Sequence, residues 1–592
     1  MKKKVEKVDD LSVRDGADKS DEGSISIYRR SILQGVGLAG LAGLSASSAA
    51  VGASETTGSD DSFDPIEATA QDVRAAITSG RATVRSIVQE YLDRIDVYDE
   101  ALNSLITVNA DALDRADELD NEFEESGFVG PLHGVPVILK DNYDAEGLPT
   151  SAGVIALEDS VPPDDAFIVE KLRDAGGIII AKANLDELAG GPDGWSSLGG
   201  QTPNPYALDR VPGGSSAGTG ASIGANLGVI GTGSDTGGSI VNPASFNSLV
   251  GIRPTLGLLS RDGIIPVDLS QDTGGPITRT VSDAALALDV MRGYDPDDPI
   301  TARGADELPL KDDRYPEGSY MDFLNKDGLE DLQVGVVRDA FGAAEDAGEE
   351  ENFSQEEAEA DAAQVTAVIE SAIEDMAQNG AEIVDPVSIP SLDSLLEAAT
   401  APTSYKLYLN NYLQSLGDDA PYKTVEELAD SNLYGCPDAA SLREAAAAEP
   451  MPDLTESEEY RSAIGGKVAL KDAVQKTMVE NEVEILLYPT RTRTPPRIGR
   501  SRNRLDFPVS QVAGLPAMSL PAGFTEEKHL PVGVELLGAE FDEPQLIEAA
   551  YAYEQATMQR QPPDKFGPLP ADPPEVPNPD FSYTIATEGC SD

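Results

Sequence analysis

Two hydroxyl clusters and one lysine are the residues of this chain best suited to covalent chemistry. Ser215-Ser216 and Ser239 each follow a Gly-Gly pair. They lie in a stretch from Pro212 to Ala244 that reads P-G-G-S-S-A-G-T-G-A-S-I-G-A-N-L-G-V-I-G-T-G-S-D-T-G-G-S-I-V-N-P-A. Turns of this kind expose backbone N–H groups in concavities that hold anions. A serine beside such amides is the arrangement of a nucleophile next to an oxyanion hole. The apolar middle, Ile223 to Ile230, separates the stretch from a flexible Gly/Ser linker. The third residue is Lys140, which ends the apolar run Val135 to Leu139 within P-L-H-G-V-P-V-I-L-K-D-N. Burial lowers a lysine pKa, and a neutral amine is a competent base for a serine. Two plainer readings fit the same residues: a tight core of small side chains, and a solvated lysine at a strand end. Chemistry alone leaves them open.

These residues need elements to hold them. Val135 to Leu139 and Gly177 to Lys182 read as buried strands, and Gln333 to Val337, the segment at Ile383 and Glu484 to Pro489 as further strands. Pro65 to Leu119 reads as mainly helical, with Ile87, Tyr91, Leu92 and Ile95 at helical spacing. Glu345 to Asp361 is an acidic run, a solvated loop or helix face, followed by a helix to Asn379. Ser391 to Met478 is mainly helical and poor in motifs. Strands alternating with helices predict an α/β layer structure.

The blocks H-G-V-P-V-I-L-K-D-N, G-G-S-S-A-G and G-S-D-T-G-G-S-I together resemble the amidase signature family. The likeness continues through V-G-I-R-P-T-L-G-L-L-S-R-D-G-I-I-P and Q-D-T-G-G-P-I-T-R-T-V-S-D. It resumes with A-G-L-P-A-M-S-L-P-A-G-F and L-P-V-G-V-E-L-L-G, so it spans roughly Val84 to Ala550. The resemblance implies one large mixed β-sheet wrapped by helices, and amide hydrolysis by a Ser–cis-Ser–Lys triad. Carried over, Ser239 resembles the nucleophile, Ser215 the cis-serine that relays its proton, and Lys140 the base. The turn amides of Thr236, Gly237 and Gly238 would hold the oxyanion. Many members carry arginine two residues after the nucleophile; here Val241 stands there, which leaves the nearby Asp235 without that partner. The run Ser239-Ile240-Val241-Asn242-Pro243-Ala244, with G-W-S-S-L-G-G-Q-T-P-N-P-Y from Gly194 to Tyr206, is similar to the peptide amidase branch. Members also include the glutaminase subunit of tRNA-dependent amidotransferases. A binding protein that has kept only the scaffold is a third reading, opposed by the intact Lys140, Ser215 and Ser239.

Composition narrows the setting. The 592 residues carry 105 acidic against 43 basic side chains, a net charge of −62. Phosphate contacts need Lys and Arg, so a nucleic-acid partner is not expected. Acid spread over a chain with this apolar content predicts a folded, salt-adapted protein. Residues 1–53 place Arg29-Arg30 before a mildly apolar Gly/Ala/Ser run, the order of a twin-arginine export signal, which implies the translocation machinery as a partner and an extracellular or cell-surface location. The expected organisation is signal (1–53), linker and start of the helical region (54–83), amidase domain (84–550) and a proline-rich tail (551–592). Only His133 and His529 are available to a Ser-His-Asp reading, and His133 reads as structural. Cys436 and Cys590 allow one disulfide. No metal spacing and no nucleotide fingerprint occurs, so no cofactor is expected.

Overall fold

The computed structural model describes residues 63–306, 318–342, 354–400, 404–418, 420–448, 454, 457–500, 507–569 and 574–575. These all fall in one compact unit, Asp61–Asp592. The expected export signal, Cys590 and half of the expected C-terminal tail lie outside the described residues.

Thirteen strands occur among the described residues. In chain order they are β1 (Leu105–Val108), β2 (Pro136–Lys140), β3 (Ile178–Ala183), β4 (Trp195–Ser196), β5 (Gly200–Gln201), β6 (Ile230–Asp235), β7 (Val250–Arg253), β8 (Thr273–Thr278), β9 (Gln333–Val337), β10 (Glu382–Val387), β11 (Ile485–Pro489), β12 (Ala517–Phe524) and β13 (Pro531–Leu537). Eleven form a single mixed sheet in the order β1-β3-β2-β6-β8-β7-β12-β13-β11-β9-β10, and β4 pairs with β5 in a separate ribbon. The large mixed sheet with its helices is the α/β architecture that the resemblance implies. Strands β2 and β3 are buried along their whole length, which is why they read as continuous apolar runs rather than alternating ones. The edge strand β10 is largely exposed and carries Pro386, a residue that discourages further pairing.

The expected helical region Pro65 to Leu119 contains the helices Ala70–Ser79 and Val84–Leu102 and the start of Ala112–Ser126, with β1 set between the last two. The first two helices begin with Thr69 and Thr83, whose hydroxyls accept from the backbone three residues on. Ile87, Tyr91 and Ile95 are buried and Leu92 is half-buried, as their spacing predicts. The described end of the acidic run starts the helix Gln355–Gln378, with Ser354 as its cap. The motif-poor region forms the helices Leu392–Ala399, Tyr405–Ser415, Val425–Ser431, Cys436–Ala447 and Glu458–Glu480. The last helix, Glu543–Thr557, runs past the boundary at 550 because Tyr553 still faces the core. Beyond it, Phe566 packs edge-on against Tyr98.

Candidate active site

Parallel pairing sets the site. Val137 and Ile138 of β2 lie opposite Ile230 and Gly231 of β6, so the C-terminal ends of these strands are neighbours. Lys140 closes β2, and Ser234-Asp235 closes β6. The Lys140 amide donates to Thr232 Oγ1 at 3.0 Å, which locks the two ends together. The glycine-rich helix Ala217–Gly224 then lies close to the chain around β3. A Cβ on Gly218 would sit 2.2 Å from the Ser104 carbonyl oxygen, so only glycine allows this approach. Ser215 lies two residues before that helix, next to its N-cap Ser216, after a cis peptide bond from Gly214. Ser239 stands in the turn between β6 and the helix Val241–Phe246.

Lys140 is fully buried. Its Nζ lies 2.7 Å from Ser215 Oγ, 2.9 Å from Ser234 Oγ and 3.3 Å from the Ser234 carbonyl oxygen. Burial drives its pKa down to about 7, against the opposing pull of Asp186, Asp235 and Asp272. A neutral amine has two hydrogens and one lone pair. The Ser234 carbonyl takes one hydrogen. Ser234 Oγ, which also accepts from Asn142 Nδ2 at 2.9 Å, takes the other. In the neutral form, with both hydrogens on Ser234, the lone pair would face Ser215 Oγ; in the protonated form Nζ donates to it. Ser234 therefore orients the amine, a role the sequence reading did not assign. Its only signal was a hydroxyl beside Asp235 in the G-S-D block.

Ser239 is half-buried, and its hydroxyl makes no hydrogen bond among the described residues. Its carbonyl is held by Ser216 Oγ at 2.5 Å, which ties the two serine clusters together. Neither histidine joins this group. His133 packs against Phe128 and Phe123 and accepts from the Val129 amide, and His529 stacks on Phe524.

A chain with this arrangement matches the family model Amidase over residues 86–547. The chain belongs to the amidase signature family. It is an amide hydrolase built on that fold. A probable amidase of Arabidopsis thaliana is 33% identical over 532 residues, 87% of this chain and 94% of its own length. The glutamyl-tRNA(Gln) amidotransferase relative from Alkaliphilus metalliredigens is 34% identical over 503 residues, covering 83% of this chain and 96% of its own. The solved structure of a peptide amidase from Stenotrophomonas maltophilia superposes with a TM-score of 0.71 at 33% identity, covering 85% of this chain and 99% of that one.

Two expectations need correction in this amidase. Asp235 does not lack a partner. Arg253, at the end of β7, places Nη1 2.7 Å from Asp235 Oδ1 and 2.8 Å from its carbonyl oxygen, and both side chains are fully buried. Sheet pairing supplies through space the guanidinium that position 241 omits. The second correction concerns the oxyanion turn. The Gly238 amide is spent on Asp235 Oδ1 at 2.8 Å, and the Ile240 amide on Oδ2 at 2.8 Å. Gly238 instead supplies a φ of +104°, which lets the turn reverse toward Ser239. The amides of Thr236, Gly237 and Ser239 make no hydrogen bond to the described residues, and they remain available as donors.

Proposed function

We propose that this amidase hydrolyses peptide or small carboxylic amides through a serine acyl-enzyme. Ser239 Oγ attacks the amide carbon. Its proton passes to Ser215 Oγ, and the Ser215 proton passes to Lys140 Nζ. The tetrahedral oxyanion forms against the amides of the Thr236–Ser239 turn. Collapse breaks the C–N bond, and the proton returns along the same path to the leaving ammonia or amine. Water then repeats the sequence on the ester and releases the acid. The observation that carries this reading is the 2.7 Å contact between Lys140 Nζ and Ser215 Oγ, in a setting whose burial lowers the amine's pKa to about 7, so that a large share of it is neutral near that pH.

The peptide amidase branch is supported by the Ser239-Ile240-Val241 run and by the likeness to the Stenotrophomonas enzyme. The amidotransferase relatives favour the glutaminase reading as the alternative. Ammonia release from peptide amides, aliphatic and aryl amides and glutamine, measured in molar KCl, separates them. Peptide amides are expected to give the highest kcat/KM. A preference for glutamine would move the chain to the alternative.

Export and salt adaptation belong to the same proposal. Arg29-Arg30 and the net charge of −62 support them. Replacing Arg29-Arg30 by Lys-Lys is expected to retain the protein in the cytoplasm; unchanged secretion would end the export reading. Melting temperature is expected to climb from dilute buffer to about 1 M KCl, where the Debye length falls to about 3 Å. A flat series would end the salt reading.

A further inference from the structure

The turn that would hold the oxyanion is gripped by the Q-D-T-G-G-P block, and that block is held in turn from a helix that carries no signature motif. Thr236 opens that turn. Its hydroxyl donates to Asp272 Oδ1 at 2.5 Å, and its carbonyl accepts from Gln271 Nε2 at 3.0 Å. A trans peptide is planar, with its C=O and N–H pointing in opposite directions. Pinning the Thr236 carbonyl on one side therefore aims the Gly237 amide at the other. Gly237 is exposed, and a Cβ added there would meet nothing within 4 Å, so the amide's own surroundings do not fix its direction.

Gln271 does this only if its NH2 end faces Thr236. Lys467 enforces that choice. It is buried on the helix Glu458–Glu480, and its Nζ donates to Gln271 Oε1 at 2.5 Å and to Ser270 Oγ at 2.8 Å. An ammonium or amine donor selects the oxygen end of the amide, which leaves Nε2 for Thr236. Asp268, 3.9 Å away, holds Lys467 in place. The Gln271 backbone is fixed in turn, because its carbonyl accepts from Arg253 Nη2 at 2.7 Å.

We propose that Gln271, oriented by Lys467, aims the Gly237 amide at the developing oxyanion, which makes Lys467 a positioning residue for catalysis. This rests on the reading of Ser239 as the nucleophile. A misaimed donor loses an interaction made mainly in the transition state, so the loss falls on kcat.

The test uses the full mature chain in molar KCl. Lys467→Met is expected to lower kcat about ten- to hundredfold with KM within about twofold. A peptide aldehyde, which forms a tetrahedral adduct with a serine, should lose affinity by the same factor, while the matching alcohol keeps its Kd. Gln271→Glu retains the partner of Lys467 but presents no donor to Thr236, and should reproduce the kcat loss with an unchanged melting temperature. Lys467→Arg should recover most of the activity. In a Gln271→Leu background, Lys467→Met should add less than about twofold. Wild-type kcat in Lys467→Met or in Gln271→Glu overturns the proposal. So do parallel losses of aldehyde and alcohol binding, failed recovery by arginine, or multiplied losses in the double variant. Ser239→Ala, assayed alongside, separates the two levels. A dead Ser239→Ala with a fully active Lys467→Met sinks this inference alone; an active Ser239→Ala sinks the triad as well.

Discussion

Two lysines close adjacent parallel strands of this sheet, and they meet opposite fates. Lys140 ends β2, and Lys182 stands one residue from the end of β3, level with Leu139. Both are fully buried. Lys182 places its Nζ 3.2 Å from Asp141 Oδ1 and also donates to the Pro149 carbonyl and Thr150 Oγ1. It is an ion pair with structural work: Asp141 also takes the Ser151 amide and so anchors the loop after β2. Lys140 has hydroxyls and a carbonyl around its nitrogen, while the nearby carboxylates stay beyond ion-pair distance. Desolvation without a paired charge lowers the pKa of one lysine, which suits it to the proposed role of base. The same burial with a carboxylate at contact makes the other a brace.

The contrast breaks most sharply in activity. Lys140→Met and Ser239→Ala are each expected to lower kcat by roughly 10⁴-fold or more, with partial recovery of Lys140→Ala as pH rises. Lys182→Met strands Asp141 as a buried unpaired charge and should lower stability by about 3–5 kcal/mol, read from denaturant titration. An unchanged midpoint would show that Lys182 braces nothing.

The pH profile sharpens the comparison. The base is active when neutral, so kcat/KM should rise about tenfold per unit below pH 7 and level off above about 7. A profile still climbing at pH 9 would place the base elsewhere. The smallest effect is on melting temperature. The folded pKa of Lys140 lies below its unfolded value, so the unfolded chain binds the extra proton between about pH 7 and 10.5. Its burial therefore weighs on the fold most at and below pH 7, and the burden lightens as pH rises. Lys140→Met is thus expected to melt a few degrees higher than the wild type at pH 6, and by a smaller margin at pH 9. A fall at pH 6 would mean that the hydrogen bonds to Ser215 and Ser234 outweigh the desolvation.

The signature residues were readable because they sit in short blocks whose glycines, strand and serines are local. Lys140, Ser215 and Ser239 could be picked out there and the α/β layering read from alternating strands and helices, while their proposed roles and the single mixed sheet came from the family resemblance. The brace on Asp235 was not readable, because Arg253 reaches it across the β8 and β7 pairing rather than along the turn. The loss of the Gly238 amide to Asp235 depends on the curl of a turn, which a Gly-Gly pair permits without dictating. Lys467 meets Gln271 across 196 residues of chain, from a helical region that reads as featureless. Tyr412 of the same region donates to Asp144 Oδ1 at 2.8 Å, two residues from Asn142 and the lysine block.

By itself, the sequence determined the residue types that the chemistry requires and the local turns that expose them. V-I-L-K-D and I-I-A-K-A, however, are the same local message: an apolar strand ending near a lysine. Tertiary structure alone decided which lysine had its pKa lowered and which became paired. The reason is physical. A pKa is set by desolvation and by charges within a few ångströms, and here those neighbours come from β6, from the serine loop and from the loop after β2.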